Sequence, residues 1–300
     1  VTCTTMQLRH DQKTEWMRQQ GITQGIEAKG FVERRILRYN IFMSHADLVH
    51  HTDHRLWPLP TSPWLMRQTW VNLLFAHWPI APEIMRALIP PQLELDTYDD
   101  MAWIGVVPFG MTNVAPRGLP NIPGFSTFPE LNVRTYVKTP APPDADATVT
   151  KPGVYFFSLD AANPLAVIGA RTGFALPYYH ADMHFEEAGD RIHYRSHRTH
   201  RGAPPAAFTG SYGPSSAVYQ SQAGTLDYWL TERYCLYTVK GDRPYRADIH
   251  HVPWPLQRAA AEIATNTMAA AAGIILPPQP PLLHFAKRID VVNWLITPVD

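Results

Sequence analysis

Three consecutive side chains near the middle of the chain combine two phenols with an imidazole: Tyr178, Tyr179 and His180. A tyrosine hydroxyl donates a hydrogen bond, and an imidazole titrates near neutral pH, so the set suits acid–base work on a carbonyl or an enol. Side chains alternate along a strand, which puts Tyr178 and His180 on one face and Tyr179 on the other. The same residues also fit aromatic core packing with a hydroxyl hydrogen bond.

A second set of polar groups comes from strict alternation in the segment Glu130–Tyr136. As a strand, this segment turns four hydrogen-bonding side chains to one face: Glu130, Asn132, Arg134 and Tyr136. On an open antiparallel sheet that face meets solvent, whereas in a closed barrel it lines a polar interior. Periodicity alone leaves both alternatives open.

Two other groups of charged residues each allow two interpretations. Glu232 and Arg233 are adjacent in the run Thr231–Tyr234 and would form either a buried ion pair or part of a cavity wall; paired charges are how such residues are usually buried. A basic cluster would hold an anionic substrate tail or form the solvated edge of a hairpin, and we favour the edge. Its members are Arg191, Arg195, Arg198 and Arg201, interleaved with histidines.

Metal and cofactor chemistry has little support in the sequence. His50 and His54 have the four-residue spacing of helical metal ligands, but no His-Glu-x-x-His pattern surrounds them, so we predict no metal site. The chain has no Gly-rich phosphate loop, Gly-x-Ser-x-Gly elbow or paired-Cys motif. We therefore expect no flavin, nicotinamide or nucleotide cofactor.

Composition narrows the partners. The 300 residues are 45% hydrophobic and 17% charged, with 26 basic and 26 acidic residues, so no net field attracts nucleic acid or anionic lipid. No run of about 18 apolar residues is present to cross a membrane. The two cysteines, Cys3 and Cys235, do not indicate a disulfide framework, and we expect a cytoplasmic protein.

The elements that must position these residues begin after an irregular N-terminal appendage, residues 1–62. From residue 63 to residue 300 we predict a single domain built from short segments rich in β-branched and aromatic residues, with Pro and Gly between them. Two helices are predicted, one opening at Pro82 and stopping before Pro90, the other over Leu256–Ala272. Thr139–Pro152 is predicted to be a polar loop between strands.

The expected fold class is α+β with mostly antiparallel strands. A closed or nearly closed barrel with a few flanking helices is the economical arrangement for so many short strands.

Six segments in this order resemble the YqjF-like family of uncharacterised bacterial proteins: Arg67–His77, Met85–Asp96, Phe128–Tyr136, Phe157–Asp160, Leu176–His180 and Thr231–Tyr237. The stretches Leu88–Asp96 and Ala166–Pro177 are also similar to acetoacetate decarboxylase. The resemblance implies a decarboxylase-like fold with an interior cavity, over about residues 63–298.

In that enzyme a proline precedes two lysines. The first lysine forms a Schiff base with the substrate, and the second lowers the pKa of the first. Here Tyr178 and Tyr179 follow Pro177, and a phenol cannot form an imine. The resemblance further implies that Arg67 faces a substrate carboxylate and that Glu130 is the acidic residue near the reacting centre. A guanidinium suits this role because its planar fork pairs both carboxylate oxygens.

The resulting expectation is a cavity that binds a small anionic compound of the carboxylate or keto-acid type. If the protein is an enzyme, its chemistry is acid–base without an imine, of the lyase, hydratase or tautomerase type, with Tyr178 or His180 donating a proton and Glu130 accepting one. Two alternatives remain: a non-catalytic binder or sensor, and an interaction protein whose filled barrel has no pocket of roughly 300 Å³. The sequence is also compatible with a homo-oligomer.

Overall fold

A computed structural model describes residues 44–140 and 150–299. Residues 1–43 of the predicted appendage, and most of the predicted loop over Thr139–Pro152, lie outside the described residues. No helix in the described residues has the length and apolar character needed to cross a membrane.

The segments rich in β-branched and aromatic residues form strands, as their composition predicts. In the described chain thirteen strands make one continuous sheet. They are β1 (Met66–Ile80), β2 (Glu94–Leu95), β3 (Ala102–Pro116), β4 (Phe128–Lys138), β5 (Gly153–Ala161), β6 (Tyr178–Ala188), β7 (Arg191–Arg198), β8 (Ala207–Pro214), β9 (Cys235–Lys240), β10 (Arg243–His250), β11 (Gln257–Asn266), β12 (Leu282–Asn293) and β13 (Thr297–Pro298).

The sheet closes, which confirms the predicted fold class. Nine strands form a mixed barrel in the order β5, β6, β7, β8, β11, β12, β1, β3 and β4, and the pairing of β4 with β5 completes the ring. Neighbours are antiparallel except that β5 runs parallel to β6 and to β9. β9 and β10 bridge from β5 to β12, so a second, smaller ring shares β1, β3, β4, β5 and β12 with the first.

Three of the strands shared by the two rings, β1, β3 and β4, are largely buried on both faces. Along β4, Leu131 and Val133 pack into one apolar core together with residues of β7 and β8. The alternate residues of β4 face the other interior, where Phe109 of β3 and Phe75 of β1 contribute to a separate core. We call β1, β3 and β4 the shared wall, because each of its faces encloses a different interior.

Three short α-helices lie among the described strands: α1 (Pro82–Arg86), α2 (Pro164–Gly173) and α3 (Leu226–Thr231). Pro82 opens α1 as predicted, but α1 ends earlier than predicted, where the Arg86 guanidinium donates to the carbonyl oxygens of Ile89 and Pro90 at 2.8 and 2.6 Å. Two further turns are 3₁₀-helical, Leu48–His50 and Ala270–Ala272.

Sequence reasoning did not predict α2 or α3, although each starts at a side-chain cap. The Asn163 side chain accepts hydrogen bonds from the amides of Leu165 and Ala166 at 3.0 and 3.2 Å. The Thr225 hydroxyl accepts from the amide of Tyr228 at 3.4 Å. An Asn or Thr before an apolar run is a recognised start signal, so these helices could have been found.

The predicted helix over Leu256–Ala272 is wrong. Gln257–Asn266 is strand β11, which pairs antiparallel with β8 from Ala259 opposite Pro214 to Asn266 opposite Phe208. Its burial alternates along the strand, with Ala259, Ala261 and Ile263 against the core. The helix propensity of alanine, a few tenths of a kcal/mol per residue, was outweighed by strand pairing and burial of one face.

Residues 44–62, part of the predicted appendage, lie along the outside of β10 and β12 with little regular structure. His54 Nε2 lies 2.8 Å from the carbonyl oxygen of His251, and Arg55 donates to the carbonyl oxygen of Ile249 at 2.8 Å. Trp57 Nε1 donates to Asp248 at 2.9 Å. We call residues 44–62 the strap.

A buried ion pair joins β5 to β7. Arg198 donates from Nε and Nη2 to the two carboxylate oxygens of Asp160 at 2.7 and 2.6 Å, and both side chains are almost fully buried. Arg195, on the same strand, pairs at 3.4 Å with the exposed carboxylate of Asp182. Arg198 is therefore part of the interior, unlike the solvated edge predicted for the basic cluster.

We expect Arg198→Ala to lower the free energy of unfolding by about 3–5 kcal/mol, because it leaves the Asp160 carboxylate buried and unpaired. The matched control Arg195→Ala should cost at most about 1 kcal/mol, since its pair is solvated. Urea unfolding of both variants measures the difference. Equal losses in the two variants would show that the buried pair does not join the strands energetically.

Candidate functional site

The smaller ring encloses a cavity of about 340 Å³. Its walls come from β1, β3, β4, β5, β9 and β10, and residues of α2 and the start of β6 complete it. Nine of the lining side chains are polar: Gln68, Glu130, Asn132, Arg134, Tyr178, Thr231, Arg233, His251 and Asn293. A filled barrel would lack a cavity of this size.

Strand β4 supplies the polar side of the cavity. Phe128, Glu130, Asn132 and Arg134 all line it, as alternation along the strand requires. Opposite them on β3, Phe109 pairs with Glu130 and Val107 with Asn132. The polar stripe predicted from the sequence is thus buried inside the ring rather than exposed to solvent.

Glu130 and Tyr178 form a hydrogen-bonded pair within the cavity wall. The Tyr178 hydroxyl donates to Glu130 Oε2 at 2.7 Å. The Tyr194 hydroxyl approaches from the second core and donates to the backbone carbonyl oxygen of Glu130 at 2.7 Å. The acid is therefore fixed both by its side chain and by its backbone.

Burial raises the pKa of Glu130 to about 8. The hydrogen bond from Tyr178 opposes this rise, and the nearby Asp160 carboxylate adds to it. Burial and the adjacent carboxylate also raise the pKa of Tyr178 well above its usual value. Near neutral pH, Glu130 is therefore mostly protonated but within reach of its ionised form, whereas Tyr178 keeps its proton.

Arg134 is a buried cation without a carboxylate partner among the described residues. Its guanidinium lies over the Phe75 ring, with Cζ 5.3 Å from the ring centroid. Its Nε is buried and makes no hydrogen bond to described atoms. A buried charge without a counter-ion is costly, so this site favours an anion from outside the protein.

Arg233 is better satisfied but still presents a free donor. It pairs with Asp96 at 2.6 Å, donates to the carbonyl oxygen of Trp229 at 2.6 Å and stacks on the Trp229 ring. Within the described structure its Nη2 has no partner, and neither do Trp254 Nε1 and Asn132 Oδ1. All of these residues line the cavity. With Arg134 Nε and Asn293 Oδ1, the described residues of the lining thus carry three buried unpaired donors and two buried unpaired acceptors.

The remaining predicted site residues lie outside the cavity lining. The Tyr136 hydroxyl is 2.7 Å from His77 Nε2 and donates to the carbonyl oxygen of Leu230 at 2.8 Å. Glu232 accepts from the Tyr234 hydroxyl and from the amide of Trp254, and burial raises its pKa to about 7. The predicted Glu232–Arg233 ion pair is not formed, because Arg233 turns to Asp96.

Arg67 and His180 are also separated from the Glu130–Tyr178 pair. The Arg67 guanidinium donates to the side chain of Asn121 at 2.7 Å, on the face of β1 away from the cavity-lining Gln68. His180 stacks on His200 with ring centroids 5.4 Å apart. The structure therefore brings together Glu130, Asn132, Arg134, Tyr178 and Arg233, but not Arg67 or His180.

Several cavity residues were not predicted. Trp254 and His251 come from the Pro-rich segment after β10, and Leu165, Ala166 and Ala170 come from α2. The cap at Asn163 was the available signal for the helical part; nothing in the sequence indicated the other two. Among the described residues no group of three metal-binding side chains lies close enough to hold an ion.

Residues 67–290 match the DUF2071 family, described as "Uncharacterized conserved protein". The chain belongs to this family. It is also 53% identical over 236 residues to the uncharacterized protein YqjF of Bacillus subtilis (strain 168), a match that covers 79% of this chain and 93% of that protein. These matches confirm the resemblance stated from the six sequence segments.

Solved structures similar to this DUF2071 member have the acetoacetate decarboxylase fold. The decarboxylase of Legionella pneumophila aligns with TM-score 0.51 and 14% identity, covering 87% of this chain and 97% of that chain. The enduracididine biosynthesis enzyme MppR with pyruvate bound aligns with TM-score 0.52 and 12% identity, covering 81% and 93%. At 14% and 12% sequence identity, the structural similarity shows that the fold is shared and does not show a shared function.

None of the lysines in the described chain lines the cavity. Lys287, in β12, is exposed and pairs with Glu187. Tyr178 instead occupies the position after Pro177 and contacts Glu130. Any chemistry in this cavity must therefore proceed without an imine from a lysine in the described chain.

We expect Glu130→Gln to change how stability depends on pH. The folded-state pKa of about 8 lies above the unfolded value of 4.5, so the folded protein binds more protons and the wild type loses stability as pH rises through this window. The neutral glutamine removes that loss. Between pH 6 and pH 9 the variant should gain roughly 2–3 kcal/mol relative to wild type in urea unfolding.

The matched control is Glu83→Gln, because Glu83 is an exposed carboxylate in α1. Its unfolding free energy should follow that of the wild type from pH 6 to pH 9. If the Glu130→Gln curve is also parallel to wild type, Glu130 is ionised in the native state throughout and the raised pKa is wrong.

Proposed function

We propose that this protein binds a small carboxylate of the keto-acid type in its cavity and exchanges a proton with it through Glu130. The observation that carries the proposal is the joint placement, in one buried cavity, of an unpaired guanidinium and a carboxyl group with a pKa near neutrality. A fold-related enzyme whose structure holds pyruvate supports the choice of compound class.

The binding half of the proposal rests on Arg134. At pH 7 the charge of Arg233 is balanced by Asp96, and Glu130 is mostly neutral because its pKa is about 8. Arg134 then leaves the cavity with an excess positive charge. A carboxylate would supply the missing counter-ion and accept hydrogen bonds from the Arg134 guanidinium.

The chemical half rests on Glu130. A group with a pKa close to the working pH can both take and give a proton. The ionised form would remove a proton from the carbon beside the substrate carbonyl, giving an enol or enolate, and the protonated form would return it. Lyase, hydratase and tautomerase reactions on keto acids share this step, and none of them requires an imine.

A second candidate, a non-catalytic binder or sensor, is favoured by one observation. The position that follows Pro177 carries a tyrosine rather than a lysine, and Tyr178 is occupied in a hydrogen bond to Glu130. A protein that kept the anion site and lost the reactive amine would have this appearance. Fold alone does not separate the two functions.

We expect Arg134→Met to weaken the binding of 2-oxobutanoate by at least about 30-fold, since it removes a buried charge that pairs with the ligand. Thermal shift or calorimetry with purified protein measures the change. Arg67→Met is the matched control, because Arg67 lies outside the cavity lining, and its affinity should stay at the wild-type value. If Arg67→Met lost affinity for 2-oxobutanoate and Arg134→Met kept it, Arg67 rather than Arg134 would bind the carboxylate.

We expect the wild type to exchange the C3 protons of 2-oxobutanoate for solvent deuterium faster than buffer alone, and Glu130→Gln to slow this exchange by about 100-fold or more. Proton NMR measures the exchange, and calorimetry checks that the variant still binds. Tyr178→Phe should lie between the two, because it removes the hydrogen bond but not the acid. Binding without any wild-type exchange would leave the non-catalytic binder as the function.

A further inference from the structure

The cavity has a fixed order of chemistry along strand β4. From the α3 end to the α2 end, its lining side chains are a guanidinium at Arg134, an amide at Asn132, a carboxyl at Glu130 and an aromatic ring at Phe128. Residues two apart on a strand are about 6.6 Å apart, so this series spans roughly 20 Å. Charge, hydrogen-bonding capacity and apolar character are therefore separated along this strand.

The ends of this series are located by the elements beside them. At the charged end, α3 lies next to Tyr136, whose hydroxyl donates to the carbonyl oxygen of Leu230. At the apolar end, α2 follows directly after Ala161, the strand partner of Glu130. Met111 pairs with Phe128 there. Along β4 the charged side chain thus lies toward α3 and the aromatic side chain toward α2.

The apolar end is also the open end. Leu165 of α2 lines the cavity and is 59% exposed to solvent. Beside it, the Asn163 side chain donates to the carbonyl oxygen of Phe125 at 2.8 Å, which joins α2 to the loop before β4. The cavity lining therefore reaches solvent at the apolar side chain of Leu165.

Short keto acids leave most of this cavity unused. At the packing density of protein interiors, an occupant that fills about 340 Å³ has roughly 250 Å³ of molecular volume, and a three-carbon acid would fill about a third of the space. The unfilled part is the apolar end, where Phe128, Met111, Leu165 and Phe174 would remain in contact with water. A hydrocarbon chain would displace that water favourably.

We infer that the ligand of this cavity is a carboxylate with a hydrocarbon tail, an oxo or hydroxy acid of roughly six to ten carbons. The inference rests on the proposed function, since it places the carboxylate on Arg134 and the oxygen function beside Asn132 and Glu130. The tail then extends along β4 in the direction of Phe128 and α2. This substrate class is longer and more apolar than the keto acid considered above.

Three compounds separate the contributions of head and tail: 2-oxobutanoate, 2-oxooctanoate and the uncharged ketone 2-octanone. We expect 2-oxooctanoate to bind at least about 10-fold more tightly than 2-oxobutanoate, because its four additional methylene groups are buried. The ketone should bind at least about 10-fold more weakly than 2-oxooctanoate, because it cannot pair with Arg134. Isothermal calorimetry on the full chain measures all three affinities.

Substitution on α2 tests where the tail lies. Ala170 lines the cavity, whereas Ile168 on the same helix is exposed and lies outside the lining. Ala170→Phe should reduce the affinity ratio of the long to the short oxo acid to about 2 or less, since the added ring occupies the space of the tail. Ile168→Phe should leave the wild-type ratio unchanged.

Each result decides between the two proposals. Equal affinity for the long and short acids, within about 2-fold, would contradict the proposed hydrocarbon tail. It would not affect the proposed carboxylate site. If Ala170→Phe kept the wild-type ratio of affinities for the long and the short oxo acid, the position proposed for the tail would also be wrong. Binding of 2-octanone as tight as that of 2-oxooctanoate, unchanged by Arg134→Met, would overturn the carboxylate site instead. Failure of all three compounds to bind at about 10 mM would overturn both.

Discussion

The shared wall of β1, β3 and β4 is largely buried on both faces, and the placement of the polar groups that β4 supplies to the cavity depends on this constraint. A strand that serves two interiors cannot shift its register without cost. Movement of β4 by one residue would exchange Glu130 and Arg134 with Leu131 and Val133, placing two ionisable groups in the second core and removing them from the cavity. Register and site chemistry are therefore determined together.

The same constraint explains why the charges in the cavity are treated so differently. A low-dielectric interior disfavours isolated charges. Arg233 offsets this cost by pairing with Asp96. Glu130 avoids the cost by keeping its proton, because burial raises its pKa to about 8. Arg134 has no carboxylate partner among the described residues. The cost of folding around that one cation is the physical reason to expect an anionic ligand.

Much of this arrangement was accessible from the sequence. The alternation over Glu130–Tyr136 predicted which residues share a face, and the number of short strand-like segments predicted a closed or nearly closed barrel. Together they identified Glu130, Asn132 and Arg134 as candidates. The decarboxylase resemblance placed Glu130 near the reacting centre and Tyr178 at the position of the Schiff-base lysine, but it did not predict the hydrogen bond between them.

Other features depend on long-range partners and could not be predicted in this way. In β1 the cavity-lining residues change from Gln68 and Trp70 to Leu73, because a register shift with Asn72 at φ 51° reverses the alternation. Arg67 is excluded from the lining because it alternates with Met66 and Gln68, which do line the cavity. In β11, pairing with β8 outweighed a composition that favours a helix.

The strap also changes where the domain must be considered to start. Its side chains hydrogen-bond the backbone carbonyls of Ile249 and His251, two residues whose side chains line the cavity. Leu48 is buried, and its carbonyl oxygen lies 2.8 Å from Nε2 of His250. A truncated chain beginning at Met66 would keep all thirteen strands but remove the support behind one cavity wall. The smallest unit that preserves the site therefore begins near Ser44, well before the first strand.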